Sequence, residues 1–229
     1  MGWDLRWTHR PGAPTTVVLL LHGGQADSEQ ATKWSNLAVL RMRPFARAAR
    51  LAGRDQFAVA MIRYTVRGWN GAKASPVVDT RAALEDIAAA YPGLPIVLVG
   101  HSMGGRVALA VADDARVSDV IGLAPWVVLP EMRSHAGLRT FFVHGIPDRV
   151  TSARASREAV ESLQAQDRTA SFVGMKGENH AMLRRSGTWD QLLRGYLREA
   201  VGASPEGRPP TELEQLGASA AAGGVATVI

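Results

Sequence analysis

Gly100-His101-Ser102-Met103-Gly104 sets a serine between two glycines at the end of an apolar run. A serine can attack a carbonyl only if a base relieves its hydroxyl of a proton. The G-x-S-x-G pattern recurs by chance, so its surroundings carry the reading. Ile96–Val99 reads as a buried strand, and Gly104–Ala112, apolar almost all round, reads as a buried helix. Strand, sharp turn and helix are the setting in which this pattern exposes a serine hydroxyl. Gly100, Gly104 and Gly105 are the small neighbours that let strand and helix pass closely.

A base and an acid for that serine would follow later strands. His144-Gly145-Ile146-Pro147-Asp148 comes after the strand pattern Thr140–Val143. Gly177-Glu178-Asn179-His180 comes after Ala170–Val173. In a parallel sheet both would stand on the rim that carries Ser102, where open α/β sheets bind ligands. His180 is the candidate base. Asp148 is the candidate acid to hold its tautomer, with Glu178 and Asp190 as rivals. The remaining histidines are worse placed. His22 and His144 precede glycines at strand ends and are expected to hold loops, His101 to line the site, and His9 and His135 have no such context.

Leu19-Leu20-Leu21-His22-Gly23-Gly24 ends another apolar strand in glycines, which leave backbone N–H groups unscreened. The N–H of Gly24, or next that of Gln25, could join the N–H of Met103 around a developing oxyanion. Gln25, His101, Trp69 and Trp126 are the candidate substrate-binding residues. Trp69 lies in the loop Arg67–Gly71, expected to overhang the rim, and Trp126 follows a strand ending at Leu123. Arg67 and Arg149 on that rim would favour an anionic substrate.

The elements that must position these groups alternate. Thr15–Leu21, Phe57–Tyr64, Ile96–Val99, Asp119–Leu123, Thr140–Val143 and Ala170–Val173 are short, nearly apolar runs, as strands covered on both faces should be. Trp3–Trp7 adds an edge strand by its alternation. Helices are predicted from Pro44 to about Ala52, from the cap Ser75 to about Tyr91, over Ser152–Gln166 and over Thr188–Val201.

With His22-Gly23-Gly24, the Gly100–Gly104 elbow, His144-Gly145 with Asp148, and His180 in this order, the chain resembles the α/β-hydrolase superfamily. The resemblance implies Ser102 as nucleophile, His180 as base and Asp148 as acid. It implies an α/β-hydrolase fold: a mostly parallel central sheet with helices on both faces. Only Ala124 to Arg139 separates the strand after the elbow from the next, too little for a cap domain, so the resemblance is to small lidless members. The implied activity is that of a cofactor-free serine hydrolase on a small-molecule carboxylic ester or thioester. A serine peptidase of the same fold and a non-catalytic ligand-binding protein are the alternatives.

Composition narrows the classes. The 229 residues suit one domain, and 46% hydrophobic with 21% charged residues is ordinary for a globular chain. Without cysteine there is no disulfide, thiolate metal site or cysteine nucleophile. The histidines lack metal-ligand spacing, so no metal is expected. Net charge is +5, but only three of the 26 basic residues are lysine and the arginines are spread along the chain. The densest stretch, Arg41, Arg43, Arg47, Arg50 and Arg54, has the spacing of a helix's wet face, so nucleic acid is not an expected partner. No apolar run approaches the roughly 20 residues that span a bilayer, and no leader pattern opens the chain. A cytoplasmic protein without a membrane partner is expected, and a homodimer through the open face is compatible with the absence of a lid. From Ala203 to Ile229 the chain is rich in Ala, Gly, Pro and Ser without an aromatic residue. This segment is expected to form a flexible tail beyond a domain of residues 1–202, with one helical turn at the capping box Thr211/Glu214.

Overall fold

The computed structural model describes residues 2–202 and 209–229. In chain order the elements are β1 (Asp4–His9), β2 (Thr16–Leu21), α1 (Leu37–Leu40), α2 (Arg43–Gly53), β3 (Phe57–Arg63), α3 (Ser75–Ala90), β4 (Ile96–His101) and α4 (Met103–Ala110). They continue with β5 (Val117–Leu123), β6 (Arg139–Gly145), α5 (Ala153–Gln164), β7 (Ala170–Met175), α6 (Ser186–Ala200), α7 (Glu212–Ala222) and β8 (Ala226–Val228).

One eight-stranded sheet runs β1-β3-β2-β4-β5-β6-β7-β8. Strand β1 is antiparallel to β3, and every other pair is parallel. The six strands β2 to β7 are buried almost throughout, which is why they read as continuous apolar runs rather than alternations. Alternate residues of β2 feed two cores. Val18 and Leu20 join α2, α6 and α7 on one face, while Val17, Leu19 and Leu21 join α3, α4 and α5 on the other. Between β5 and β6 stands only a 3-10 turn, Leu129–Glu131, so no cap covers the rim.

The helices start close to where their residues direct. Pro44 lies in the first turn of α2, where its missing N–H costs nothing. Ser152 caps α5 by accepting from the Ala155 N–H at 3.1 Å. Ser75, however, lies inside α3. The cap position falls to Ala74, a non-glycine residue at φ 42°. The short α1 carries too little periodicity to be legible.

The expectation of a flexible tail does not hold for residues 209–229; residues 203–208 lie outside the described part. Helix α7 lies against α6, and β8 adds a parallel strand beside β7. The capping box at Thr211 and Glu214 opens a full helix of 11 residues rather than one turn. The physical reason is backbone proximity. A Cβ on Gly195 would stand 2.0 Å from the Glu214 carbonyl oxygen, and one on Gly217 would stand 2.2 Å from that of Leu192. Two glycines thus let the helices touch backbone to backbone, and small residues bury area that larger side chains would otherwise supply. Leu213, Leu216, Val225 and Ile229 pack on the core, and buried Glu214 takes Arg194 and Arg198 as ion partners.

Candidate active site

Ser102 stands between β4 and α4 at φ 55° and ψ −118°. Holding a non-glycine residue there costs on the order of 1–3 kcal/mol, so its surroundings must enforce it. A Cβ on Gly100 would lie 2.3 Å from the Gly104 carbonyl oxygen, and one on Gly104 would lie 2.1 Å from that of Leu21. The Ser102 N–H donates to Leu123 O (3.2 Å), and its carbonyl accepts from the Trp126 N–H (2.9 Å). The elbow is therefore clamped by β5 as well as by its own glycines.

His180 Nε2 lies 2.9 Å from Ser102 Oγ, and His180 Nδ1 lies 2.8 Å from Asp148 Oδ2. The line from serine to carboxylate is unbroken, and it is Asp148 that meets the histidine. The two rivals are engaged elsewhere. Buried Glu178 accepts from the N–H groups of Asn179 (2.8 Å) and Arg185 (2.7 Å) and from Trp189 Nε1 (3.2 Å), which ties the His180 loop to α6. Asp190 sits on α6 and pairs with Arg194 at 3.4 Å.

Asp148 has more partners than its sequence context suggests. Its Oδ1 accepts from the N–H groups of Val150 (2.7 Å) and Thr151 (3.2 Å). Its Oδ2 lies 3.0 Å from the Thr151 hydroxyl and 3.2 Å from Nε2 of His144, a fully buried ring. Burial opposes ionisation of this carboxyl, but the bonds from His144, the Val150 N–H, His180 and the Thr151 N–H hold it well below the usual carboxylate range. His144 Nδ1 lies 2.8 Å from the Ser156 hydroxyl on α5. Thr151, His144 and Ser156 thus support this carboxylate. Only the i, i+4 spacing of His144 and Asp148 could have hinted at this, because threonine and serine near a helix start read as caps.

Two more histidines stand near the centre. Tyr64 N–H points at His22 Nε2 (3.3 Å), so the proton sits on Nδ1, which donates to Gly23 O at 2.6 Å. Burial, the largest cause, pushes this imidazole down from 6.5 to about 4, so it is neutral at pH 7. In a trans peptide the C=O and N–H point opposite ways, so fixing Gly23 O also aims the Gly24 N–H. A Cβ on Gly24 would stand 2.3 Å from Arg67 O and 2.4 Å from Met103 Cε, so a larger residue cannot take that place. Among the described residues neither the Gly24 nor the Met103 N–H has an acceptor. The Gln25 N–H is occupied by Arg67 O at 2.9 Å, which removes the second choice for an oxyanion donor. His101, buried beneath the centre, has Nε2 3.1 Å from His180 O; burial and then the nearby His180 lower it to about 3.

The outer residues are arranged less directly. Gln25 is exposed and bridges to Gly68, which brings the Arg67–Gly71 loop over the rim. Trp69 is buried and Trp126 half-buried, and both rings sit against the Arg106 guanidinium, at 3.8 and 4.1 Å. Arg106 in turn forms a two-pronged pair with Glu131 (2.5 and 2.6 Å). Arg149 is exposed beside Asp148, and Arg67 Nε is buried. Among the described residues, no group of three or more His, Asp or Glu side chains is placed to hold a metal ion. No helix among them is long and apolar enough to cross a membrane.

Residues 18–225 match the model of a family described as the alpha/beta hydrolase family, and the chain belongs to it. Solved structures of this fold include an α/β serine hydrolase without a lid from Xanthomonas campestris, 20% identical. It aligns over 89% of this chain and 90% of its own, with a TM-score of 0.65. A thermophilic esterase from Thermogutta terrifontis, with propionate bound, is 18% identical over 90% of this chain and 92% of its own, with a TM-score of 0.68. A serine hydrolase homologue from Coxiella burnetii is 20% identical over 84% and 90%, with a TM-score of 0.62. At these identities the likeness is one of fold. No curated protein matches the chain.

Proposed function

We propose that this chain is a serine hydrolase that cleaves carboxylic esters or thioesters through an acyl-enzyme on Ser102. Ser102 Oγ attacks the carbonyl carbon while His180 Nε2 takes its proton. The charge that develops on the carbonyl oxygen is met by the N–H groups of Gly24 and Met103, each such donor contributing about 2.7–4 kcal/mol to the transition state. His180 returns the proton to the departing alcohol or thiol. It then takes a proton from water as the water oxygen attacks the acyl carbon, and passes that proton to Ser102 Oγ as the acyl–serine bond breaks and the acid leaves. Asp148 holds the imidazole tautomer and stabilises the imidazolium.

The observation that carries this reading is the hydrogen-bonded line Ser102 Oγ–His180 Nε2–Asp148 Oδ2, at 2.9 and 2.8 Å, with the serine at positive φ. The esterase and serine hydrolase of similar fold add support for the bond class. The absence of a cap between β5 and β6 favours substrates that enter without a lid to open. Trp69, Trp126, His101 and Gln25 are proposed to border the substrate. The reading is tested with a series of p-nitrophenyl esters and acyl thioesters of increasing chain length, comparing the native chain with Ser102→Ala. Turnover should vanish in the variant while melting temperature is kept; equal turnover in both would discard Ser102 as nucleophile.

A further inference from the structure

Away from the rim, a groove of about 430 Å³ opens between α2 and the edge strand β1. Arg43, Arg47 and Arg50 line one wall, Arg6 and Trp34 the other, and Met61 of β3 lies at its floor. No carboxylate is among its lining residues. We propose that this groove binds a small anion carrying two phosphoryl groups, a diphosphate, at a site separate from Ser102.

The arginines of this groove differ from those elsewhere on the surface. Arg81, Arg106, Arg116, Arg139, Arg154, Arg157, Arg194 and Arg198 each have a carboxylate partner. Arg43, Arg47 and Arg50 have none within ion-pair distance among the described residues. They stand at i, i+4 and i+7 on the exposed face of α2, a spacing at which like charges destabilise a helix. Arg43 also sits at the positive end of the helix dipole, the wrong end for a cation. Across the groove the Arg6 guanidinium lies 4.1 Å from the Trp34 ring centre. Two acidic groups stand near. Asp4 accepts from Trp34 Nε1 at 2.9 Å, and Asp190, already paired with Arg194, also feels Arg47. Neither neutralises the row.

Four guanidinium groups facing one concavity present forked donors that match phosphate oxygens two at a time. Arg43 to Arg50 spans roughly 10 Å along the helix at 1.5 Å per residue, more than one phosphate covers and suited to two. The apolar surfaces of Met61 and Trp34 lower the local dielectric and strengthen each charged contact.

Isothermal titration of the full chain with inorganic pyrophosphate in low-salt buffer tests the site. The expected result is saturable binding of one pyrophosphate per chain. Arg47→Gln with Arg50→Gln should weaken it by about tenfold or more, and Arg133→Gln, an exposed arginine on another part of the surface, should change it less than about twofold. Without ligand, the double variant should melt at or above the temperature of the native chain, because it relieves like-charge repulsion. No saturable binding by the native chain would overturn the proposal. So would equal weakening in both variants, the mark of unspecific charge attraction, or a lowered melting temperature of the free double variant, the mark of a structural role.

Discussion

The rim that carries Ser102 and the C-terminal segment α7–β8 are both attached to the sheet, yet they are held by opposite means. The rim is held by polar groups with named partners: Asp148 accepts from two backbone N–H groups, and Glu178 binds three donors. The segment is held largely by close packing that Gly195 and Gly217 permit, backbone against backbone, together with the β7–β8 ladder and the Glu214 ion pairs. Perturbing the first should change chemistry and leave the fold. Perturbing the second should change the fold and leave the chemical groups intact.

The sharpest break of that comparison is Asp148→Asn. It should lower kcat by a factor on the order of 10⁴, because the amide favours the wrong histidine tautomer, while the melting temperature stays nearly unchanged. A loss under tenfold in steady-state kinetics would return Glu178 to consideration. Removing residues 209–229 should do the reverse and lower the melting temperature steeply, since it strips a strand from β7 and uncovers Tyr196 and Leu192 on α6. An unchanged calorimetric transition would mean that the segment does not stabilise the domain.

Acid should act on the rim through its buried histidines. Both His22 and His101 are held below 6.5 by burial, to about 4 and about 3. Between pH 6.5 and 4 the unfolded chain therefore takes up protons that the folded chain refuses, and stability falls as pH drops through that window. For His22 alone the loss by pH 4 is about 3 kcal/mol. A melting temperature flat from pH 7 to pH 4.5 would contradict this. A finer contrast sets Gly217→Ala against Gly187→Ala. The first Cβ meets Leu192 O at 2.2 Å and should cost about 1–3 kcal/mol, whereas the second meets nothing within 4 Å and should lie within about 0.5 kcal/mol of the native chain. A modest effect on chemistry is expected of Thr151→Val, which removes the hydroxyl beside Asp148 Oδ2. It should reduce kcat about tenfold, because a hydrogen bond to a charged group is worth about 1.5–3 kcal/mol, and part of it remains in the backbone N–H.

The same contrast explains what could be read from the chain. Ser102, Asp148 and His180 are legible because reactive residue types follow apolar runs, and a parallel sheet brings strand ends to one rim. The six buried strands follow from their apolar runs, and the short Ala124–Arg139 connection leaves no room for a cap, but the order of the strands in the sheet is visible only in the structure. The segment after Ala203 is illegible for a different reason. A composition rule counts apolar side chains and cannot see that two glycines 22 positions apart in sequence, Gly195 and Gly217, face each other's helix backbone. Asp148's support by Thr151, His144 and Ser156 is hidden likewise, because each hydrogen bond there joins groups whose types are common in caps and loops.

The central claim is that Ser102 is an activated nucleophile. Incubation with a fluorophosphonate probe, followed by peptide mass mapping, tests it most directly. The account predicts one adduct per chain, on Ser102, formed far faster in the native protein than in Asp148→Asn. A folded native chain that gives no adduct, or one labelled on another serine, would contradict it.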